Sequence, residues 1–282
     1  MHHPFVATIL VRYCEIGLKS TPVRRRFESM LKDNMLTMLA SDGVEALVEQ
    51  GDARYFVETD DVDGCVAALK KVFGIASISV AVLCSSDLDD ICRTAAEYSK
   101  GRIEPGMSFA VRARREGTHP YTSMDVGREA GSAIFLAHEG LKVDLHTPQK
   151  TFYVEIRNNK TYIFDSYIEC PGGLPMGCQG RVAALVDSER AALSAWMMMK
   201  RGCRVIAAGN GDMTLLKMYD PTLRIVDMGD SARDVLGRVY GYDLTGFDRI
   251  DWTEETPAFL PTVAMTADEA ADMYARVLRS EF

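Results

Sequence analysis

Apolar and polar positions change period several times along this chain, and the changes mark out its elements. Residues 5–12, FVATILVR, form a short apolar run that predicts a strand. In the next block Phe27, Met30, Leu31, Asn34, Met35, Met38 and Leu39 recur at helical spacing, an almost wholly apolar stripe. Ser20 or Thr21 can cap that helix, with Pro22 just inside it. ARYFVET (53–59) predicts a strand, DGCVAALKKVFG (63–74) a helix and IASISVAV (75–82) another strand. Strand–helix–strand–helix–strand over this length predicts a ferredoxin-like α+β unit.

A second α/β unit follows. It has a helix near 87–100, the strand SFAVRARR (108–115), a helix over 123–139, and a hairpin over 150–166 turning at Asn158–Asn159. PGGLPMGCQG (171–180) is a glycine-rich connector. From Arg181 the pattern is strand, helix, strand (204–208), then TLRIVDMG (222–229), a helix near 232–240, and a strand-to-helix step over 261–278. In that last step Thr266 and Glu269 have capping-box spacing. Repeated β–α alternation predicts a parallel, doubly wound α/β sheet.

Composition narrows the class. With 282 residues, 47% hydrophobic and 26% charged, the chain fits a multidomain globular protein. No apolar run reaches membrane-span length, and no signal-peptide pattern opens the chain, so a cytoplasmic protein without a membrane partner is expected. Its seven cysteines (14, 65, 84, 92, 170, 178, 203) are scattered without a CxxC pair, which predicts reduced thiols and no metal site.

The net charge of −8 speaks against nucleic acid until its distribution is considered. From residue 205 onward there are 7 basic and 14 acidic residues, whereas residues 1–204 are almost neutral. Residues 100–128 hold six basic groups against three acidic ones. Phosphate binding needs a local positive face, not a positive total.

Two basic constellations are candidates. Lys19, Arg24, Arg25 and Arg26 surround a helix start, where cations are disfavoured unless an anion joins them. A solvated helix end partly neutralised by Glu28 is the equal alternative. In SFAVRARR, alternation places Phe109, Val111 and Ala113 on one face and Arg112 and Arg114 on the other, with Arg115 at the strand end. Phosphate contact and a charge-protected edge strand both account for that pattern. The glycines of the connector (172, 173, 177) permit close backbone approach, to a ligand or to another part of the chain.

The segments VRYCEIGLKSTPVRRRFE, KVFGIASIS, FAVRARREGTHPYTSMDVGREAG, GLKVDLHTPQ, VEIR and PGGLPMG, in that order, resemble the tRNA 4-thiouridine synthetases, or tRNA sulfurtransferases, over about residues 6–208. The resemblance implies an N-terminal ferredoxin-like domain (1–76), a THUMP RNA-binding domain (77–169), the connector (170–180) and a truncated Rossmann-like α/β domain of PP-loop ATPase type (181–282). It implies that the first two domains hold tRNA by its acceptor region, and that the third adenylates a uridine before sulfur transfer from a cysteine persulfide. Lys19, Arg24, Arg25, Arg26, Arg112, Arg114, Arg115, Thr122, Ser123 and Arg128 lie in the matching segments and become the candidate RNA contacts. A homodimer is implied in the same way.

The third domain departs from that pattern. The family's ATP loop reads Ser-Gly-Gly-x-Asp-Ser, and the corresponding positions here are Val186, Asp187, Ser188, Glu189, Arg190 and Ala191. Both glycines of the phosphate cradle are missing, a carboxylate stands where phosphate would approach, and Arg190 replaces the aspartate. Asp187 or Ser188 is left as a helix cap. The chain ends soon after its last predicted helix, so the family's cysteine-bearing C-terminal segment and rhodanese extension are expected to be absent. Cys170, Cys178 and Cys203 have no His or CxxC context and are expected to be structural.

The expectation is a tRNA-binding relative of the sulfurtransferases that uses no cofactor, has lost catalysis, and docks a basic protein on its acidic end. Two alternatives remain: an active sulfurtransferase subunit using ATP with a partner, and an interaction scaffold without RNA.

Overall fold

The computed structural model describes residues 7–13, 15–51, 53–227, 234–251 and 255–282. Chain contacts divide the protein into two compact units, one of residues 1–10, 56–62 and 79–168, the other of residues 11–55, 63–78 and 169–282. Among the described residues no helix is long and apolar enough to cross a membrane.

The N-terminal elements are β1 (Ala7–Arg12), α1 (Thr21–Ser41), β2 (Leu47–Gly51), β3 (Arg54–Glu58), α2 (Val62–Leu69) and β4 (Ser77–Ser85); they keep the expected strand–helix alternation, with β2 as a strand the pattern did not predict. Helix α1 buries Phe27, Leu31, Met35, Met38 and Leu39 from the predicted stripe, while Met30 and Asn34 lie at its half-buried border. Its Ser20 cap makes no side-chain capping bond. Helix α2 stops at Leu69, short of the predicted end at 74. The reason is tertiary: Phe73 stacks on Tyr219 and meets Trp196 edge-on, and the chain turns at 70–74 to put it there.

The unit containing residues 79–168 adds α3 (Leu88–Ser99), β5 (Ser108–Glu116), α4 (Ser123–Ala137), β6 (Lys142–Val143), β7 (Lys150–Arg157) and β8 (Lys160–Phe164). Strands β7 and β8 form the hairpin around Asn158–Asn159, with Arg157 opposite Lys160. Strand β5 runs parallel to β7 along its whole length and pairs with β6 only at Ser108 and Phe109. The larger sheet has the order β2-β3-β1-β4-β8-β7-β5-β6, with β9 (Ile168–Glu169) paired to β4. Helices α3 and α4 cover the β5–β7–β8 core, where Ile91, Phe109, Val126, Ile134, Phe152 and Val154 are buried together.

The C-terminal sheet has the order β12-β11-β10-β13-β14, from β10 (Arg181–Leu185), β11 (Arg204–Ala208), β12 (Arg224–Ile225), β13 (Arg238–Val239) and β14 (Ala258–Phe259). All four of its pairings are parallel, as the alternating pattern predicts. Helices α5 (Glu189–Lys200), α6 (Thr214–Tyr219) and α7 (Ala267–Leu278) bury Trp196, Leu193, Leu216 and Tyr274 against it. Thr266 and Glu269 make the capping box of α7.

Two local expectations are overturned. The predicted helix near 232–240 is a strand at Arg238–Val239, because Ala183 N–H donates to Gly237 O and Arg238 N–H to Pro257 O, drawing this backbone into the sheet. Residues 228–233, which include the end of the 222–229 segment and the start of that predicted helix, lie outside the described ones. The expected strand at 261–265 is a pair of turns, closed by Val263 N–H to Leu260 O and Met265 N–H to Thr262 O.

The glycine-rich connector owes its composition to another part of the chain. Gly173 has φ +74°, and a Cβ there would lie 2.1 Å from the carbonyl oxygen of Lys200 at the end of α5. Only glycine permits that contact, which Leu174 N–H reinforces by donating to the same carbonyl at 3.0 Å.

Candidate nucleic-acid interface

A groove with a volume of about 850 Å³ lies between β5 and α4. Its formation is local. Among the described residues β5 pairs with β6 only at Ser108 and Phe109, and the groove begins where that pairing stops. Gly127 and Gly131 face that strand from α4, and a Cβ on either would reach only ordinary contact with Val111, at 3.6 and 3.7 Å. Small residues there leave the space open without being sterically required.

Exposed apolar groups line the groove: Met124, Phe135, Val143, Leu145 and Tyr167. Arg112, Arg114 and Arg128 provide its cations, and the buried Glu155 is the carboxylate among its lining residues. Tyr153 and Glu155 belong to the same face of the sheet as Arg112 and Arg114, since Arg112 is paired with Tyr153 and Arg114 with Glu155.

The candidate contacts in this unit have different degrees of freedom. Arg112 and Arg114 are exposed, and Arg112 donates to the carbonyl of Leu145, which anchors the loop after β6. Arg115 donates to Gly117 O at 2.9 Å and reaches His119. The Thr122 hydroxyl is engaged in the capping box of α4, with Asp125 as its partner, and those bonds hold the Asp125 carboxyl below its ordinary range. Ser123 lies on the groove wall at the first turn of α4. Arg128 is exposed but lies within 3.0 Å of Glu129 and 3.3 Å of Asp125.

In the other unit, Lys19, Arg25 and Arg26 are exposed at the start of α1. Arg24 is not: its Nε donates to Glu28 Oε1 at 2.8 Å. The partial neutralisation by Glu28 therefore falls on Arg24, and the two residues after it keep their guanidinium groups at the surface.

The turn after β10 is held by contacts from its own chain. Ser188 caps α5, its hydroxyl accepting from Ala191 N–H at 3.3 Å, which occupies one of the first-turn donors. Gly241 lies directly on that turn, where a Cβ would come within 2.4 Å of the Ala191 backbone. Arg190 donates to the carbonyls of Thr262 at 3.0 Å, Met265 at 2.6 Å and Thr266 at 2.9 Å, tying α5 to the entrance of α7. Val186 is buried, its carbonyl accepting from Gly211 N–H at 2.9 Å, while Asp187 and Glu189 are exposed. A pyrophosphate would need the N–H groups and the space that Ser188 and Gly241 occupy, and it would meet the carboxylate of Asp187. These residues do not fit ATP.

Cys170, Cys178 and Cys203 are buried. Burial raises Cys170 to about 12 and Cys178 to about 11, and it pushes Cys203 up as well, away from the thiolate a sulfur carrier needs. Cys14 lies outside the described residues.

Tyr153, Tyr167, Phe135 and Leu145 were not anticipated as groove residues, because separate segments bring them together. The Gly127–Gly131 spacing on α4 was the one local sign of an open face.

Residues 8–79 match the ThiI ferredoxin-like domain family, and residues 85–164 match the THUMP domain family. The chain is 40% identical over 203 residues to a probable tRNA sulfurtransferase of Methanosarcina acetivorans, covering 70% of this chain and 49% of that protein. It is 36% identical over 227 residues to one of Methanobrevibacter smithii, covering 78% of this chain and 58% of that protein. The chain thus spans about half the length of these curated relatives. Among solved structures, PH1313 from Pyrococcus horikoshii OT3 superposes with a TM-score of 0.82 at 28% identity, covering 96% of this chain and 99% of that one. A 4-thiouridine synthetase in complex with RNA and ATP has the same fold, with a TM-score of 0.83 at 20% identity over 96% of this chain and 85% of that one. This chain is a THUMP-domain protein with a ThiI ferredoxin-like domain, and a relative of the tRNA sulfurtransferases.

Proposed function

We propose that this protein binds tRNA through its ferredoxin-like and THUMP domains, at the acceptor region, and that its third domain is a non-catalytic scaffold. The observation that carries the RNA reading is the groove between β5 and α4: an apolar floor that can accept unpaired bases, with Arg112, Arg114 and Arg128 for the phosphates. Lys19, Arg25 and Arg26 add sequence-independent phosphate contacts from α1, while Thr122 acts indirectly by fixing the start of α4. The relatives' names, and the RNA-bound structure of similar fold, support the choice of tRNA over other polyanions.

The loss of catalysis is supported by the turn at Val186–Ala191, which is capped, covered and cross-linked by its own chain. With a net charge of −7 after residue 205, the third domain suits a basic protein partner better than RNA. The test is a salt titration of tRNA binding combined with an ATPase assay. Steeply salt-dependent binding without ATP turnover is expected. Stimulated ATP hydrolysis in the presence of tRNA would overturn the non-catalytic reading.

A further inference from the structure

Glu28 is a carboxylate buried to 4% exposure, and nothing in the groove involves it. It accepts from the Tyr13 hydroxyl, from Arg24 Nε at 2.8 Å and from Gln50 Nε2 at 3.0 Å, while its backbone carbonyl accepts from the Tyr55 hydroxyl at 2.6 Å. Four side chains, from α1 and from the strands beside it, thus converge on one residue. An apolar residue of similar volume would bury more readily than this ion pair, so stability alone is a weak reason for a carboxylate here.

Its geometric effect is specific. Arg24 is fixed through its Nε by Glu28, with Tyr13 as a second partner, and its side chain remains 36% exposed against 6% for Glu28. A guanidinium held through Nε keeps its two Nη groups as donors, and a pre-ordered fork loses less rotamer freedom when it meets a phosphate. Arg25 and Arg26, next along the helix, are exposed and have no such anchor in view.

We propose that Glu28 is a positioning residue for RNA binding: its buried carboxylate holds Arg24 at the start of α1 in the orientation that receives a backbone phosphate. This rests on the RNA reading above and adds to it one residue that never touches RNA. Tyr13 and Gln50 share the task, because they keep the carboxylate from turning toward solvent.

The experiment is a double-mutant cycle read by affinity for unfractionated tRNA at several salt concentrations. It uses Arg24→Ala, Glu28→Leu, Glu28→Gln and the combinations with Arg24→Ala, with thermal melts of each. Arg24→Ala should weaken binding about threefold to tenfold and lower the salt slope by about one. Glu28→Leu should weaken it by a similar factor, and should add nothing once Arg24 is gone. Glu28→Gln keeps an oxygen for Nε and should retain part of the affinity; it also carries the cycle if the leucine variant does not fold. Equal weakening by the Glu28 variants with and without Arg24 would mean a purely structural role and would overturn the proposal. So would unchanged affinity on losing Arg24. Arg112→Ala/Arg114→Ala serves as the reference. If that pair weakens binding while Arg24→Ala does not, only the positioning role fails; if neither does, the RNA reading itself has failed.

Discussion

Arg112 and Arg190 share a chemistry and differ in what their surroundings ask of it. Arg112 projects from β5 onto an open groove, donates to a single loop carbonyl at Leu145, and stays exposed. Arg190 sits in the first turn of α5 and directs both Nη groups at the carbonyls of Thr262, Met265 and Thr266. Arg112 meets one carbonyl and keeps further donors, so it is available to a ligand. Beside α5 the irregular 262–266 turn offers several, and arginine becomes part of the fold. A basic residue can thus serve as a binding group where the protein's own acceptors leave some of its donors unmet.

That contrast can be broken at each end. The largest effect is expected from Arg112→Ala together with Arg114→Ala: a loss of tRNA affinity of about a hundredfold at moderate salt, with the salt slope reduced by about two. Filter binding at several salt concentrations measures both, and an unchanged slope would remove these arginines from the interface. Arg190→Ala should leave tRNA affinity alone while destabilising the chain by about 2 kcal/mol, since three carbonyls lose a charged donor. A melt that does not shift would show that water replaces the guanidinium without penalty. Ser188→Ala should destabilise by about 1 kcal/mol through loss of the α5 cap, and neither it nor the native chain should gain thermal stability from Mg-ATP.

The smallest effect is one of pH. Although its burial alone would raise the pKa of Glu28, the bonds from Tyr13 and Arg24 hold it below the ordinary glutamate value of 4.5. A depressed carboxyl pKa contributes stability that is fully present above the unfolded value and is lost as pH falls through the folded one. Urea midpoints of the native chain should therefore fall more steeply below about pH 4.5 than those of Glu28→Gln. Parallel curves would place the acid sensitivity elsewhere.

Much of this was legible in the sequence where local pattern and tertiary need agree. The α1 stripe, the β5 alternation, the β7–β8 turn at Asn158–Asn159 and the Thr266–Glu269 box all appear as expected. The pattern misled where long-range pairing prevailed: Arg238–Val239 joins a sheet between β10 and β14, and Thr262 turns inward to meet Ser194. That the Val186–Ala191 turn holds no glycine was visible in the sequence. That Gly241 and Arg190 close the place was not, because the partners of Ala191 and Arg190 lie 50 to 76 residues away. The candidate arginines were legible by type, and the Arg24–Glu28 pair by its i,i+4 spacing on α1; that Tyr13, Gln50 and Tyr55 converge on Glu28 was not, because they lie on other segments.

The central claim is RNA binding by a chain whose nucleotide turn has become structural. One titration tests it directly: unfractionated tRNA against the purified protein at about 50 and about 200 mM salt, with and without Mg-ATP. The account predicts binding that weakens by orders of magnitude between the two salt conditions and is indifferent to the nucleotide. Binding that ignores salt, or that tightens when Mg-ATP is added, would contradict it.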